Sequence, residues 1–185
     1  MCLLFVTSNE HKFHEVSKIF STYNIKICWH NLKYLEIQDD NLEKIAVESA
    51  KTVYKLLRRP FFLEDTGLFI DALKGFPGPY SAYVFKTIGC NGILRLMQNI
   101  DNRHAYFKTV VAFIENESHV YTFIGKKEGS ISLQERGTAW GYDPIFIPKG
   151  YTKTYAELGH IKNQISHRVN AMKRFIDWYI KNILE

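Results

Sequence analysis

Apolar and polar positions alternate along this chain in two distinct rhythms. Residues 3–7 form a short apolar run suited to a buried strand, followed by turn and cap residues at Ser8 and Asn9 and a helical pattern over 10–20. A second strand is predicted at 25–29. Over 42–57 the apolar residues Ala46, Ala50, Val53 and Leu57 recur at spacings of four, three and four, one face of a helix that Arg59-Pro60 ends. Residues 61–63 predict a short buried strand running directly into Glu64-Asp65-Thr66-Gly67, with Gly67 read as a sharp turn open to a ligand. Gly and Pro content predicts a loop over 74–79, and a short helix lies within 88–100. Residues 105–114 and 119–125 read as a hairpin joined by 115–118. Ile131 and residues 145–147 fall in further strands, and from 163 to the end Ile165, Val169, Met172, Ile176, Tyr179 and Ile183 form one helical stripe. Strand–helix alternation, then strands, then a final helix predict an α/β fold with a mixed, twisted sheet.

Composition narrows the class. The 185 residues form a single domain over 1–185, long enough to bury a core without disulfides or a structural metal. Cys2, Cys28 and Cys90 are far apart and odd in number, with no CxxC pair, which excludes a zinc ribbon and fits a reducing, cytoplasmic compartment. Residues 1–9 read as a first strand and not as a signal peptide, and no apolar run reaches the ~20 residues that span a bilayer. A net charge of +5 favours an anionic partner, nucleic acid or nucleotide phosphate. The basic residues are dispersed, with only short groups such as Arg58-Arg59 and Lys126-Lys127, which argues against a dedicated nucleic-acid surface.

Four segments carry candidate chemistry. Thr7-Ser8-Asn9-Glu10-His11-Lys12 places free backbone N–H groups at a helix start, with Lys12 in the first turn, an arrangement suited to phosphate and equally common as a plain cap. Glu64 and Asp65 are adjacent acids whose joint ionisation needs a nearby cation; they suit magnesium, or Asp65 a proton from water, and they also read as an acidic surface turn. Glu36 is a candidate third acid. Trp140-Gly141-Tyr142-Asp143-Pro144 offers an aromatic face for a base, or a core aromatic turn. In Lys162-Asn163-Gln164-Ile165-Ser166-His167-Arg168, helical spacing predicts Lys162, Asn163, Ser166 and His167 on one face, either a set of donors for one ligand or a solvated helix start.

Together these segments resemble the inosine triphosphate pyrophosphatase family, the house-cleaning enzymes for non-standard purine nucleotides. Thr7-Ser8-Asn9-x-x-Lys12 resembles T-G-N-x-x-K, and Glu64-Asp65-Thr66-Gly67-Leu68 resembles E-D-S/T-G-L. Ala72-Leu73-x-Gly75-x-Pro77-Gly78-Pro79-Tyr80-Ser81, Gly141-Tyr142-Asp143-Pro144, Lys153-Thr154-Tyr155-Ala156-Glu157 and Lys162-Asn163-x-x-Ser166-His167-Arg168 match further family motifs in order. The segment 101–109 looks most like archaeal members.

The resemblance implies an elongated, two-lobed fold with a central mixed twisted sheet flanked by helices, usually a homodimer. It implies hydrolysis of ITP, dITP and XTP to the monophosphate and pyrophosphate by metal-activated water, with Mg2+ as cofactor and Mn2+ as a substitute. It gives Asp65 as proton acceptor, Glu64 as its support and Lys12 as a catalytic cation. Glu36 and Asp65 would bind the metal. Thr7, Ser8, Asn9 and Lys12 would hold the triphosphate, and Thr66 would contact substrate. Trp140 would stack on the base, with Gly141, Tyr142 and Asp143 shaping its pocket, and Lys162, His167 and Arg168 would complete recognition. His167 and Arg168 would donate to a purine 6-oxygen. The partner is a purine nucleoside triphosphate, with no membrane or nucleic acid. The alternatives are a pyrophosphatase for other modified nucleotides and a non-catalytic nucleotide- or RNA-binding protein. Ser8 replaces the family's glycine, Trp140 stands where Phe is common, and Ser49 stands where many members carry a phosphate-binding lysine, for which Lys44 and Lys51 are the nearest substitutes.

Overall fold

A computed structural model describes residues 2–184; Met1, at the edge of the predicted first strand, and Glu185, at the end of the predicted last helix, lie outside the described residues. The chain divides into two compact units. The first takes Met1–Asp65, Thr109–Gly125 and Arg168–Glu185; the second takes Thr66–Lys108 and Lys126–His167.

In the first unit β1 (Leu3–Val6) pairs in parallel with β2 (Ile27–His30) and with β3 (Phe61–Ile70), and β5 (His104–Asn116) and β6 (His119–Ile131) follow β3 in the order of strands. Side chains alternate across this sheet, so both faces carry a core. On one face Leu3, Phe5, Phe62, Val111 and Phe113 meet Val16, Ile19 and Phe20 of α1 (Glu10–Ser21) and Val169, Met172, Phe175 and Ile176 of the C-terminal helix. On the other Leu4, Val6, Phe61, Leu63, Val110, Ala112 and Ile114 meet Leu42, Ala46, Ala50 and Val53 of α2 (Leu42–Leu57). That helix takes the bounds its periodicity predicts. Asn41 caps it, accepting from the main-chain N–H groups of Glu43 and Lys44, and Arg58 closes it in the left-handed conformation.

In the second unit β4 (Pro77–Gly78) pairs antiparallel with β3, and β7 (Phe146–Pro148) pairs antiparallel with β6. The sheet is therefore mixed, as the alternation of elements predicts. α3 (Ser81–Leu96) covers it with Val84, Cys90 and Ile93, joined by Leu68, Ile70, Phe107, Phe146 and Tyr155 in a single core. α3 begins seven residues earlier than the helix the sequence predicts and is interrupted at Gly89, whose φ of 62° breaks the periodicity that a helix would otherwise show. Two further short helices, α4 (Tyr155–Leu158) and α5 (Lys162–Ile165), precede α6 (His167–Tyr179).

Three expectations are corrected. The Glu64–Gly67 segment is not the end of a strand: β3 continues through it to Ile70, and Gly67 makes no turn. A Cβ at Gly67 would lie 2.6 Å from the Gly78 carbonyl oxygen, so glycine is there to admit β4 and not to bend the chain. The 162–168 segment is not one continuous helix, because Ser166 is extended (φ −75°, ψ 161°) and separates α5 from α6. The predicted common face of Lys162, Ser166 and His167 is thereby lost. Finally, Cys2 and Cys28 form a disulfide, with Cα atoms 5.8 Å apart. The pairing of β1 with β2 places Leu3 opposite Ile27 and so brings together cysteines 26 positions apart in sequence.

Candidate active site

The loop between β1 and α1 follows from how β1 ends. The Asn9 side chain accepts from the Lys12 main-chain N–H (3.2 Å), and the Thr7 hydroxyl accepts from the Asn9 N–H (3.1 Å). The Trp29 indole N–H donates to the Thr7 carbonyl (2.8 Å) while its ring stacks on Phe13, 5.0 Å between centroids. Loop and first helical turn are thus fixed from both sides. Ser8 is exposed and is not among the described non-glycine residues with positive φ, so serine meets no backbone strain where the family pattern has glycine.

Four charged side chains meet beside this loop. Lys12 Nζ lies 3.1 Å from Glu64 Oε1 and donates to the Glu64 carbonyl oxygen at 3.3 Å. Arg168 reaches the same Glu64 Oε1 at 3.3 Å through Nε and Nη2, and donates through Nη1 to Glu15 Oε2 at 2.5 Å. The Glu64 side chain is fully enclosed and that of Arg168 is 2% exposed. Two cations and two anions at such spacing make this burial tolerable.

Asp65, next along β3, is half-buried, and its Oδ2 is shielded from solvent with no hydrogen-bond partner. Burial pushes its carboxyl up to about 7; the Lys12 ammonium opposes this, and the Glu36 and Glu64 carboxylates add to it. Glu36, on the exposed connection between β2 and α2, is therefore within electrostatic reach of Asp65. The Tyr34 phenol is raised well above its ordinary value by burial and then by Asp65, Glu36 and Glu64. Three carboxylates from two segments thus act on one phenol.

The second unit holds the aromatic constellation. Lys162 Nζ sits 2.6 Å from Asp143 Oδ2, both side chains more than nine-tenths buried, and 5.2 Å from the centroid of the Trp140 ring. Trp140 is half-buried. Gly141, with φ of 66°, turns the chain after it, and its carbonyl accepts from the Cys90 thiol at 3.4 Å. Tyr142 is buried, its hydroxyl donating to the Ser81 carbonyl (3.1 Å) and its ring edge-on to Phe85. His167 is buried and stacks on Phe107, centroids 4.4 Å apart. Thr66, half-buried on β3, belongs to this unit.

The first unit therefore groups Thr7, Ser8, Asn9, Lys12, Glu36, Glu64, Asp65 and Arg168, and the second groups Thr66, Trp140, Gly141, Tyr142, Asp143, Lys162 and His167. Sequence reading pairs Arg168 with His167 at the base; the Arg168 guanidinium also donates to Glu15 and Glu64. Ser49 is buried on α2, and its hydroxyl has no hydrogen-bond partner. Of the candidate substitutes for the family lysine, Lys44 is paired with Asp39 and Lys51 with Glu48. Sequence reasoning missed Glu15 and Tyr34. Glu15, three residues after Lys12 on α1, carries a signal in that spacing.

The model of the Ham1 family matches residues 3–178. The chain belongs to the Ham1 family. It is 46% identical to the dITP/XTP pyrophosphatase of Thermococcus kodakarensis over 185 residues, 99% of this chain and 100% of that one. It is 48% identical to the dITP/XTP pyrophosphatase of Methanopyrus kandleri, covering 99% and 98%. Among solved structures, a HAM1 protein from Coxiella burnetii superposes with a TM-score of 0.86 at 26% identity, covering 98% of this chain and 100% of that one. Among the described residues no helix is long and apolar enough to cross a membrane.

Proposed function

We propose that this protein hydrolyses deaminated purine nucleoside triphosphates, ITP, dITP and XTP, to the nucleoside monophosphate and pyrophosphate. The observation that carries the reading is Asp65: a shielded carboxylate oxygen without a hydrogen-bond partner, on a carboxyl that feels both the Lys12 ammonium and the Glu36 carboxylate. The dITP/XTP pyrophosphatase names of relatives at 46% and 48% identity support the same reaction.

The shielded, unpartnered Asp65 Oδ2 supports a place for a hard divalent cation, with Glu36 as the second acid, although among the described residues no three His, Cys, Asp or Glu side chains form a ready-made metal site. Glu36 and Asp65 supply carboxylate oxygens, and magnesium prefers one or two of these together with substrate phosphates. Mg2+, with Mn2+ as a substitute, would draw charge from the phosphate oxygens and make the attacking water more acidic. The protein's own groups do the rest. The N–H groups at the start of α1 and the Asn9 side chain hold the triphosphate, and Lys12 offsets charge developing on the leaving pyrophosphate. Asp65 takes the proton from water as it attacks the α phosphorus, a task suited to a carboxyl raised toward neutrality. Glu64, neutralised by Lys12 and Arg168, keeps Lys12 in place.

Base recognition falls to the second unit. Trp140 provides a flat face, and Lys162 and His167 provide donors for a purine 6-oxygen. Adenine's 6-amine would set donor against donor, which a site of this kind rejects by roughly 10²-fold or more. The protein acts as a homodimer in this reading. The test is pyrophosphate release from ITP, dITP, XTP, GTP and ATP with and without magnesium. Release from the first three, dependent on metal and slow with ATP, is expected; tight nucleotide binding without release would sink the proposal.

A further inference from the structure

Resting on the reading of Trp140 as the face for the base, we infer that the break in α3 at Gly89 positions that face: it lets the two halves of one helix grip the Gly141–Tyr142 turn and so fix where Trp140 stands. α3 is buried at Ser81 and Val84 before the break and at Cys90 and Ile93 after it. In an unbroken helix Ile88, four residues after Val84, would follow it into the core, and Cys90 would point about 120° away from Val84. The structure reverses this: Ile88 is 42% exposed and Cys90 7%. Gly89, at φ 62° and ψ −165°, takes a conformation essentially restricted to glycine. A Cβ there would meet no atom within 4 Å beyond its immediate neighbours in the helix, so the backbone angle and not space requires glycine.

Each half then holds the same turn. From the first half, the Ser81 carbonyl accepts from the Tyr142 hydroxyl (3.1 Å), and Phe85 packs edge-on against the Tyr142 ring. Ser81 is itself fixed, its hydroxyl donating to the Gly78 carbonyl (2.6 Å) and accepting from the Leu68 N–H (2.8 Å). From the second half, the Cys90 thiol donates to the Gly141 carbonyl (3.4 Å). Behind the turn the loop is closed. The Arg136 N–H donates to the Pro144 carbonyl (2.9 Å), and the Arg136 carbonyl accepts from the buried Thr154 hydroxyl (2.8 Å). Trp140 thus stands on a loop shut at its base and pinned by α3 at the two residues that follow it. Whatever the ring touches, Lys162 included, it touches from the place this turn gives it. A continuous α3 would carry the Cys90 thiol away from Gly141 and leave only the Tyr142 anchor from this helix.

The experiment uses the full chain with Gly89→Ala, Cys90→Ala, Cys90→Ser and Tyr142→Phe, and circular dichroism checks each fold. KM and kcat are measured for dITP, and competitive inhibition is measured with inorganic triphosphate, which has no base. Acrylamide quenching of Trp140 fluorescence is read in proteins whose other tryptophans, Trp29 and Trp178, are Phe. Gly89→Ala should raise KM for dITP about tenfold with kcat within about threefold, leave inhibition by triphosphate unchanged, and about double the quenching of Trp140. Cys90→Ala and Tyr142→Phe should each raise KM about threefold and increase the quenching. Cys90→Ser, which keeps a donor, should return both toward wild type. A folded Gly89→Ala protein with wild-type KM and quenching overturns the inference. So does a rise in KM matched by an equal weakening of triphosphate, which is general loosening. If Gly89→Ala does not fold, wild-type quenching in both Cys90→Ala and Tyr142→Phe overturns it, and increased quenching that Cys90→Ser reverses supports it. If the wild-type protein releases no pyrophosphate from dITP, the proposed function fails by itself, and the quenching still decides whether α3 holds Trp140.

Discussion

Lys12 Nζ is held by both the side chain and the main chain of Glu64, at 3.1 Å and 3.3 Å. A flexible lysine stem fixed at its tip loses little further freedom on meeting a phosphate, so the contact is preorganised. Lys12→Met should therefore lower kcat/KM for dITP by about 10²-fold or more while leaving secondary structure intact. Steady-state kinetics on the purified variant check this, and a loss below about threefold would remove Lys12 from the reaction.

Asp65 sets stability against function. Its folded-state carboxyl is pushed up to about 7, while the unfolded chain titrates near 3.9. Between these values the folded state holds the extra proton, so stability of the metal-free protein falls as pH rises from about 4 to about 7 and then levels off. The cost at pH 8 is on the order of 2–4 kcal/mol. Asp65→Asn lacks this titration. It should abolish turnover and yet melt higher than wild type at pH 8 without metal, with the gap closing toward pH 4. Magnesium should narrow the gap at pH 8 by stabilising the wild type. Parallel melting curves across that range would contradict the assignment.

Trp140 is expected to act through its ring. Loss of a base–aromatic stack costs about 1–3 kcal/mol, so Trp140→Ala should raise KM for ITP and XTP by roughly 5- to 100-fold. Trp140→Phe, which keeps a flat face, should stay within a few-fold of wild type. Equal KM values for all three proteins would show that the base rests elsewhere.

Much of the frame is legible in the sequence because it obeys one period at a time. α2 keeps its four-three-four spacing and appears where that spacing puts it. The hairpin of β5 and β6 also appears, extended at both ends, with β5 buried continuously over 109–114. Glu64 and Asp65 break the apolar run of β3, so the sequence predicts a shorter strand than the one that forms. The strand carries them because Lys12 and Arg168, distant in sequence, supply the compensating charge for Glu64. The same reason hides Glu15: its partner stands 153 positions away. Among the candidate site residues, only the fold shows the contacts of Arg168 with Glu15 and Glu64. Ser166 looked like a helix residue by spacing, yet its backbone is extended.

Gly67 is the point of close approach between β3 and β4. An added methyl would meet the Gly78 carbonyl oxygen at 2.6 Å and its carbon at 2.9 Å, both main-chain atoms that cannot rotate aside. Gly67→Ala should destabilise the protein by about 1–3 kcal/mol, as overpacking does. Thermal melting should show a fall of several degrees. A neutral Gly67→Ala would mean that β4 is free to give way.

The pair of Lys162 and Asp143 separates burial from binding. Their side chains are 6% and 8% exposed and meet at 2.6 Å. Removing one partner leaves the other charge enclosed, so Asp143→Asn and Lys162→Met should each cost roughly 3–5 kcal/mol. Removing both charges removes the need for either, and the double variant should be more stable than the sum of the single losses predicts. Chemical denaturation of the four proteins yields that coupling directly. Activity should not follow stability. Lys162 also lies 5.2 Å from the Trp140 ring, where the proposed base would stack, so the double variant should remain impaired in KM for dITP even when its stability recovers. A double variant that regains both stability and KM would make the pair purely structural, and base selection would then have to come from other donors such as His167.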